Sequence, residues 1–243
     1  MDYAGLCGEL KLTTGFLSIK RLTGSGTLSC AEKGCTLALL KKAFSGETLY
    51  FTKDSVSCPG AAVGFGFSDG LPEIPGGFGY FISTGRGEGF PLGERVKCNP
   101  ETGERMLLGQ PQNVLEGFDC IRIKPYEPED GADTVTALVT AEQLSVLIHL
   151  FCFRKPGYEN IIAPMVSGCA SVFRIPFGEL KKDEPRGIIG NIDVFSRPHF
   201  PADTLFFTIP GRDFETMLTD AGDSVLASPV WKEIKNKYEV NHD

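Results

Sequence analysis

The chain has 243 residues, among them 29 Gly, 16 Pro, 18 Phe and 8 Cys. Hydrophobic residues at 42% and charged residues at 23% exclude disorder, collagen and coiled coil as whole-chain readings. A net charge of −7 with no basic run excludes nucleic-acid binding, which needs Lys and Arg to neutralise phosphates, and offers an anionic membrane no attraction.

Phe16 to Leu22 alternates as a strand, with Phe16, Ser18 and Lys20 on one face and Leu17, Ile19 and Arg21 on the other. Thr36 to Phe44 carries Leu37, Leu40 and Phe44 at helical spacing, and Gly46 ends the helix. Leu49 to Thr52 reads as a short strand. Cys58-Pro59-Gly60-Ala61-Ala62-Val63 opens a short helix, capped by Ser57 or Cys58, with Pro59 at its first position. Residues 64–93 hold ten glycines and read as a long loop with a brief strand at Tyr80 to Ile82. The aromatics of that loop, such as Phe65, Phe78 and Phe81, argue that it packs on something.

The second half is more regular. Ile121 to Ile123 and Val135 to Val139 read as strands. Thr140 and Gln143 form a capping box ahead of a helix that places Leu144, Leu147, Ile148, Phe151 and Cys152 on one face. Asn160 to Val166, Ile188 to Ile192 and Thr204 to Thr208 are further strands. Pro210-Gly211 opens a helix over Arg212 to Leu218, and Pro229 opens the last, through Tyr238. The expected fold is α+β: a mixed β-sheet layer packed with helices, with a long Gly-rich loop in the first half. One domain is expected over 1–243, with a division into 1–115 and 116–243 left open.

No apolar run approaches the ~18–20 residues that span a bilayer, and no basic region precedes an apolar N-terminal stretch. The expectation is a cytoplasmic protein whose thiols stay reduced, so that its cysteines point to metal or redox use rather than stapling. Cys35 and Cys58 both stand just ahead of predicted helices, where unpaired N–H groups and the helix dipole favour a thiolate. Cys30 and Cys35 are too isolated a pair to mark a zinc knuckle. Cys152 falls on an apolar helix face and reads as core. His149, His199 and His242 are too far apart for a two-His site on one helix. Gly64-x-Gly66-x3-Gly70 is not the dinucleotide fingerprint. Gly85-Arg86-Gly87 could let the backbone approach an anion, with Arg86 beside it.

Cys35 ahead of a Leu-Leu-Lys-Lys-Ala helix, Gly46-Glu-Thr-Leu-Tyr50, Cys58-Pro-Gly-Ala-Ala-Val-Gly-Phe-Gly-Phe67, Ala141-Glu-Gln-Leu144, Cys169 with Ile175-Pro176, and Phe206-Phe207-Thr-Ile209-Pro210 form an ordered set. It resembles the uncharacterised archaeal and bacterial family called the domain of unknown function 169, from about residue 15 to 238. The resemblance implies a cytosolic protein with no established activity. Many members carry Gly-Cys-x-Gly-Cys-Arg in the late strand, where this chain has Gly187-Ile-Ile-Gly190-Asn-Ile-Asp193. Residue by residue, Cys35, Cys58 and Cys169 transfer as candidate thiols.

The leading expectation is therefore a binding protein. Cys35, Cys58 and Cys169 would hold a metal or iron–sulfur centre, or a small thiol-reactive ligand, near Cys58, Gly60, Arg86 and Arg197. Two alternatives stand beside it. One is a thiol-dependent enzyme with Cys58 as nucleophile and Arg86 or Arg197 steadying a small anionic substrate. The other is a homo-oligomeric interaction module whose Gly-rich aromatic loop buries against a second subunit.

Overall fold

The structure, a computed structural model, describes residues 1–24, 35–85 and 93–240, with side chains to 236. Cys30, Arg86 and His242 lie outside the described residues.

The strands are β1 (Phe16–Leu22), β2 (Leu49–Thr52), β3 (Cys120–Pro125), β4 (Thr134–Val139), β5 (Ile161–Ile162), β6 (Gly187–Gly190) and β7 (Leu205–Pro210). The helices are α1 (Tyr3–Glu9), α2 (Leu40–Phe44), α3 (Pro59–Phe65), α4 (Phe78–Ile82), α5 (Pro100–Leu108), α6 (Ala141–Cys152), α7 (Gly168–Val172), α8 (Arg174–Glu179), α9 (Gly211–Asp220) and α10 (Pro229–Val240). One mixed sheet orders the strands β2-β3-β1-β4-β7-β6-β5. Its pairs are antiparallel except β5 with β6, which run parallel. The chain is thus α+β, as its patterning predicts. β1, from the first half, sits between β3 and β4 from the second.

Alternation explains how the sheet buries both faces. Phe16 of β1, Val135, Ala137 and Val139 of β4, and Phe207 and Ile209 of β7 pack into one core with α1, α6, α9 and Trp231 of α10. The intervening Leu17, Ile19 and Phe206 pack into a second core with Leu40 of α2, Phe65 of α3, Val172 of α7 and Phe177 of α8. Phe16, Ile19, Phe206 and Phe207 are all buried, so helices cover the central strands on both sides. No helix of the described residues is long and apolar enough to cross a membrane.

The patterning is right for β1 and β2 and for the start of α3. It is also right for α6, whose capping box forms through Gln143 N–H to Thr140 Oγ1 and Thr140 N–H to Gln143 Oε1. Cys152 is half-buried against the first core. Four expectations are corrected. Tyr80 to Ile82 belongs to helix α4, because a three-residue apolar run has no period to tell helix from strand. The stretch 64–93 is accordingly no continuous loop, since α3 runs to Phe65 and α4 lies within it. The helix expected from Thr36 begins at Leu40. Residues 36–39 form tight turns, seen in Leu40 N–H to Leu37 C=O and Lys41 N–H to Ala38 C=O. The strand expected over Asn160 to Val166 shrinks to Ile161–Ile162, since Pro164 has no N–H for a ladder.

The second core is tied to its helices by one buried cation. Arg174, at the start of α8, is 0% exposed. Its Nε donates to Pro111 C=O (2.7 Å), and its Nη1 to Val63 C=O (2.9 Å) and Ser68 C=O (2.8 Å). Its Nη2 donates to Asp69 Oδ1 (2.7 Å) and Gln112 Oε1 (2.9 Å). This guanidinium holds the C-terminal end of α3 and the 110–113 segment onto α8. Phe65 of α3 stacks on Phe173, the residue between α7 and α8, with ring centroids 3.9 Å apart. Arg174→Met should lower unfolding free energy by about 3–5 kcal/mol in urea melts, because it strands buried acceptors and leaves Asp69 without its cation. A loss under about 1 kcal/mol would contradict this role.

Candidate functional site

A cavity of about 460 Å³ opens on the side of the sheet that carries the second core. Several separate chain segments wall it. They are Cys35 to Leu37, the start of α3, residues 73–75, α4, residues 94–96, Met106 of α5, residues 165–169 and residues 193–196. The walls are mostly apolar, with Ile74, Phe78, Val96, Met165 and Val166 among them.

Local sequence explains how each wall is set. Cys58 is the extended N-cap of α3 and makes no side-chain capping bond, and Pro59 takes the first helical position. Ser167 caps α7, accepting from Ala170 N–H (3.3 Å), and Cys169 follows inside that helix. The loop after β6 turns at Asn191, whose φ of 61° is left-handed. Ser196 Oγ bonds Asn191 Oδ1 and Asp193 C=O, both at 2.7 Å, which holds the loop closed. Residues 94–97 cross the end of α4. Glu94 N–H donates to Phe81 C=O (2.8 Å) and Val96 N–H to Ile82 C=O (2.9 Å), which presents Glu94 to the cavity.

Two glycines allow the close approach of these elements. A Cβ on Gly64 of α3 would lie 2.7 Å from Cys169 Cβ. A Cβ on Gly168 would lie 2.5 Å from Leu37 and 2.8 Å from Ser196. Thus α3, α7, the Cys35–Leu37 turn and the 193–196 loop meet at van der Waals distance.

The structure therefore brings Cys35, Cys58, Gly60 and Cys169 together on one cavity. Cys35 and Cys58 are exposed and Cys169 is half-buried. Burial pushes the Cys169 thiol up, and the neighbouring Cys35 and Cys58 add to the effect. Among the described residues, no group of three or more His, Cys, Asp or Glu is placed to hold a metal ion. Arg197 is not brought to the cavity. Its guanidinium donates to the carbonyls of Asn191, Pro201, Ala202 and Thr204, so it knits its own loop together. His149 is exposed on α6 and His199 sits in a short 3-10 turn, and neither lines the cavity.

Sequence reasoning missed three carboxylates of the site, the exposed Glu73 and the partly buried Glu94 and Asp193. Burial pushes Glu94 up to about 7, and the nearby Asp193 carboxylate pushes it the same way. Asp193 Oδ2 accepts from Gly168 N–H (3.3 Å) and Oδ1 from Phe195 N–H (3.1 Å). Both acids lie in loops with no spacing that a sequence pattern could register.

The family model of the domain of unknown function 169, described as an uncharacterised ArCR, matches residues 11–220. The chain belongs to this family. No curated protein and no solved structure matched it. Each described wall of the cavity lies inside the matched span.

The close approach at Gly64 gives a signed prediction. Gly→Ala inside a helix ordinarily stabilises by up to about 1 kcal/mol. Gly64→Ala should instead destabilise by about 1–3 kcal/mol, since its Cβ overlaps Cys169. At Gly60 a Cβ meets only Cys58 Sγ at 3.9 Å, so Gly60→Ala should be neutral or stabilising. Urea melts of the two variants check the contrast, and equal effects would contradict it.

Proposed function

We propose that this protein binds a small, mostly apolar molecule in the cavity where Cys35, Cys58 and Cys169 meet. The observation that carries the reading is that convergence: three thiols from three separate segments line one apolar cavity. Its volume of about 460 Å³ falls within the usual range for small-molecule sites, and a few polar groups in an apolar wall are what such sites use for orientation. The thiols offer soft, polarisable contacts, and the exposed Cys35 and Cys58 are accessible to an electrophilic ligand. We place the protein in the cytoplasm, where such thiols stay reduced.

An organic ligand is favoured over a metal or iron–sulfur centre, because the described donors are not grouped for coordination. A thiol-dependent enzyme acting on an anion has less support. Among the described lining residues none is Lys, Arg or His, and Arg197 is engaged elsewhere.

Competitive labelling tests the reading. Monobromobimane, a small neutral alkylator, should label the exposed Cys35, Cys58 and Cys98. Saturation with the neutral fluorophore N-phenyl-1-naphthylamine should slow labelling of Cys35 and Cys58 at least ~5-fold by excluding the reagent, and leave Cys98, which does not line the cavity, unchanged. Peptide mass mapping reads the three rates. Absence of fluorophore binding, or equal rates with and without it, would overturn the proposal.

A further inference from the structure

Among the described residues, the charges around the cavity do not balance. Glu73, Glu94 and Asp193 line it, and among the described lining residues there is no Lys, Arg or His. Glu73 is exposed, whereas Glu94 and Asp193 are partly buried. Among the described residues, the Glu94 carboxylate has neither hydrogen-bond nor ion-pair partner, and Asp193 receives only the two backbone N–H groups of Gly168 and Phe195. A partly buried carboxylate without a countercharge is costly. By contrast, two buried acids of this chain are paired: Glu179 with Lys182 and Arg186, and Asp130 with Arg122 and Lys124.

The walls suggest what restores the balance. Phe78, Phe81 and Phe195 line the same space. Aromatic faces attract cations through their quadrupole, and carboxylates attract them directly.

Resting on the reading that this cavity binds a small apolar molecule, we propose that its ligand is a lipophilic organic cation, an apolar body bearing one ammonium group. The ammonium sits between Glu94 and Asp193, and the body lies against the aromatic wall and the thiols. An anionic ligand would meet three acids and no cation among the described walls.

The pH dependence follows with its sign. Glu94 titrates at about 7, raised first by burial and then by Asp193. The titratable and charged groups facing it are Asp193 from the loop after β6, Cys169 from α7, Cys35, Cys58 and Glu73. Arg95 and Lys97, its chain neighbours, do not line the cavity. Below pH 7 Glu94 is neutral and offers a cation little. Above pH 7 it is ionised, so cation affinity rises from pH 6 to pH 8 while a neutral ligand's stays flat.

Three probes with one naphthalene body test this on the full chain by calorimetry: 1-naphthylmethylammonium, 1-naphthylmethanol and 1-naphthoate. At pH 8 the ammonium should bind at least ~10-fold tighter than the alcohol, and the carboxylate at least ~10-fold weaker, as expected for charges a few ångströms apart. Ammonium affinity should fall at least ~3-fold from pH 8 to pH 6, following Glu94 protonation. Glu94→Gln should abolish that pH dependence and spare the alcohol. If Glu94→Gln does not fold, the pH profile of the unaltered chain decides. Equal binding of all three probes, or a preference for the carboxylate, overturns the cation assignment and leaves the cavity reading standing. Binding of none of them overturns both.

Discussion

Arg174 is the interaction on which the site depends. A guanidinium buried to 0% exposure is tolerable only when its five N–H donors are satisfied, and here each is. Its partners are the carbonyls of Pro111, Val63 and Ser68 with the side chains of Asp69 and Gln112. Those acceptors lie at the end of α3 and in the 110–113 segment, so the one side chain fixes both against α8. Because α7 runs into α8 through Phe173, fixing α3 on α8 also fixes it on α7. Gly64 then lets the two helices touch, and Cys58 and Cys169 face one cavity.

The same logic governs the opposite wall. The loop after β6 has little regular structure to satisfy its backbone. Arg197 supplies donors to four carbonyls there, while Ser196 and Asn191 close the turn. This steadies Asp193 and Phe195 at the cavity. An arginine that looks available for an anion in the sequence is thus consumed in building the loop that presents a carboxylate.

What could be read in advance follows from period and local chemistry. β1 alternates cleanly, and its two faces enter the two cores as the pattern predicts. The Thr140–Gln143 box and the Cys58-Pro59 start are local devices, and both form. α4 was not legible, because its helical turn depends on the Gly76-Gly77 turn before it and the 94–97 backbone after it. α5 carries a start that is readable from local chemistry: Asn99 caps it and Pro100 follows. At the site, the three thiols were legible as chemistry one at a time. Their meeting was not, since it depends on a glycine contact 105 residues apart in the chain, Gly64 against Cys169. Glu94 and Asp193 were invisible for the same reason: only the packed cavity gives two ordinary acids a common surface.

The most direct test is a crystal structure of the protein with N-phenyl-1-naphthylamine bound. The prediction is one probe molecule between α3, α7 and the 94–96 segment, in contact with Cys58, Cys169 and Glu94. A probe seated elsewhere, or Cys58 and Cys169 facing separate spaces, would contradict the claim that the thiols share one binding cavity.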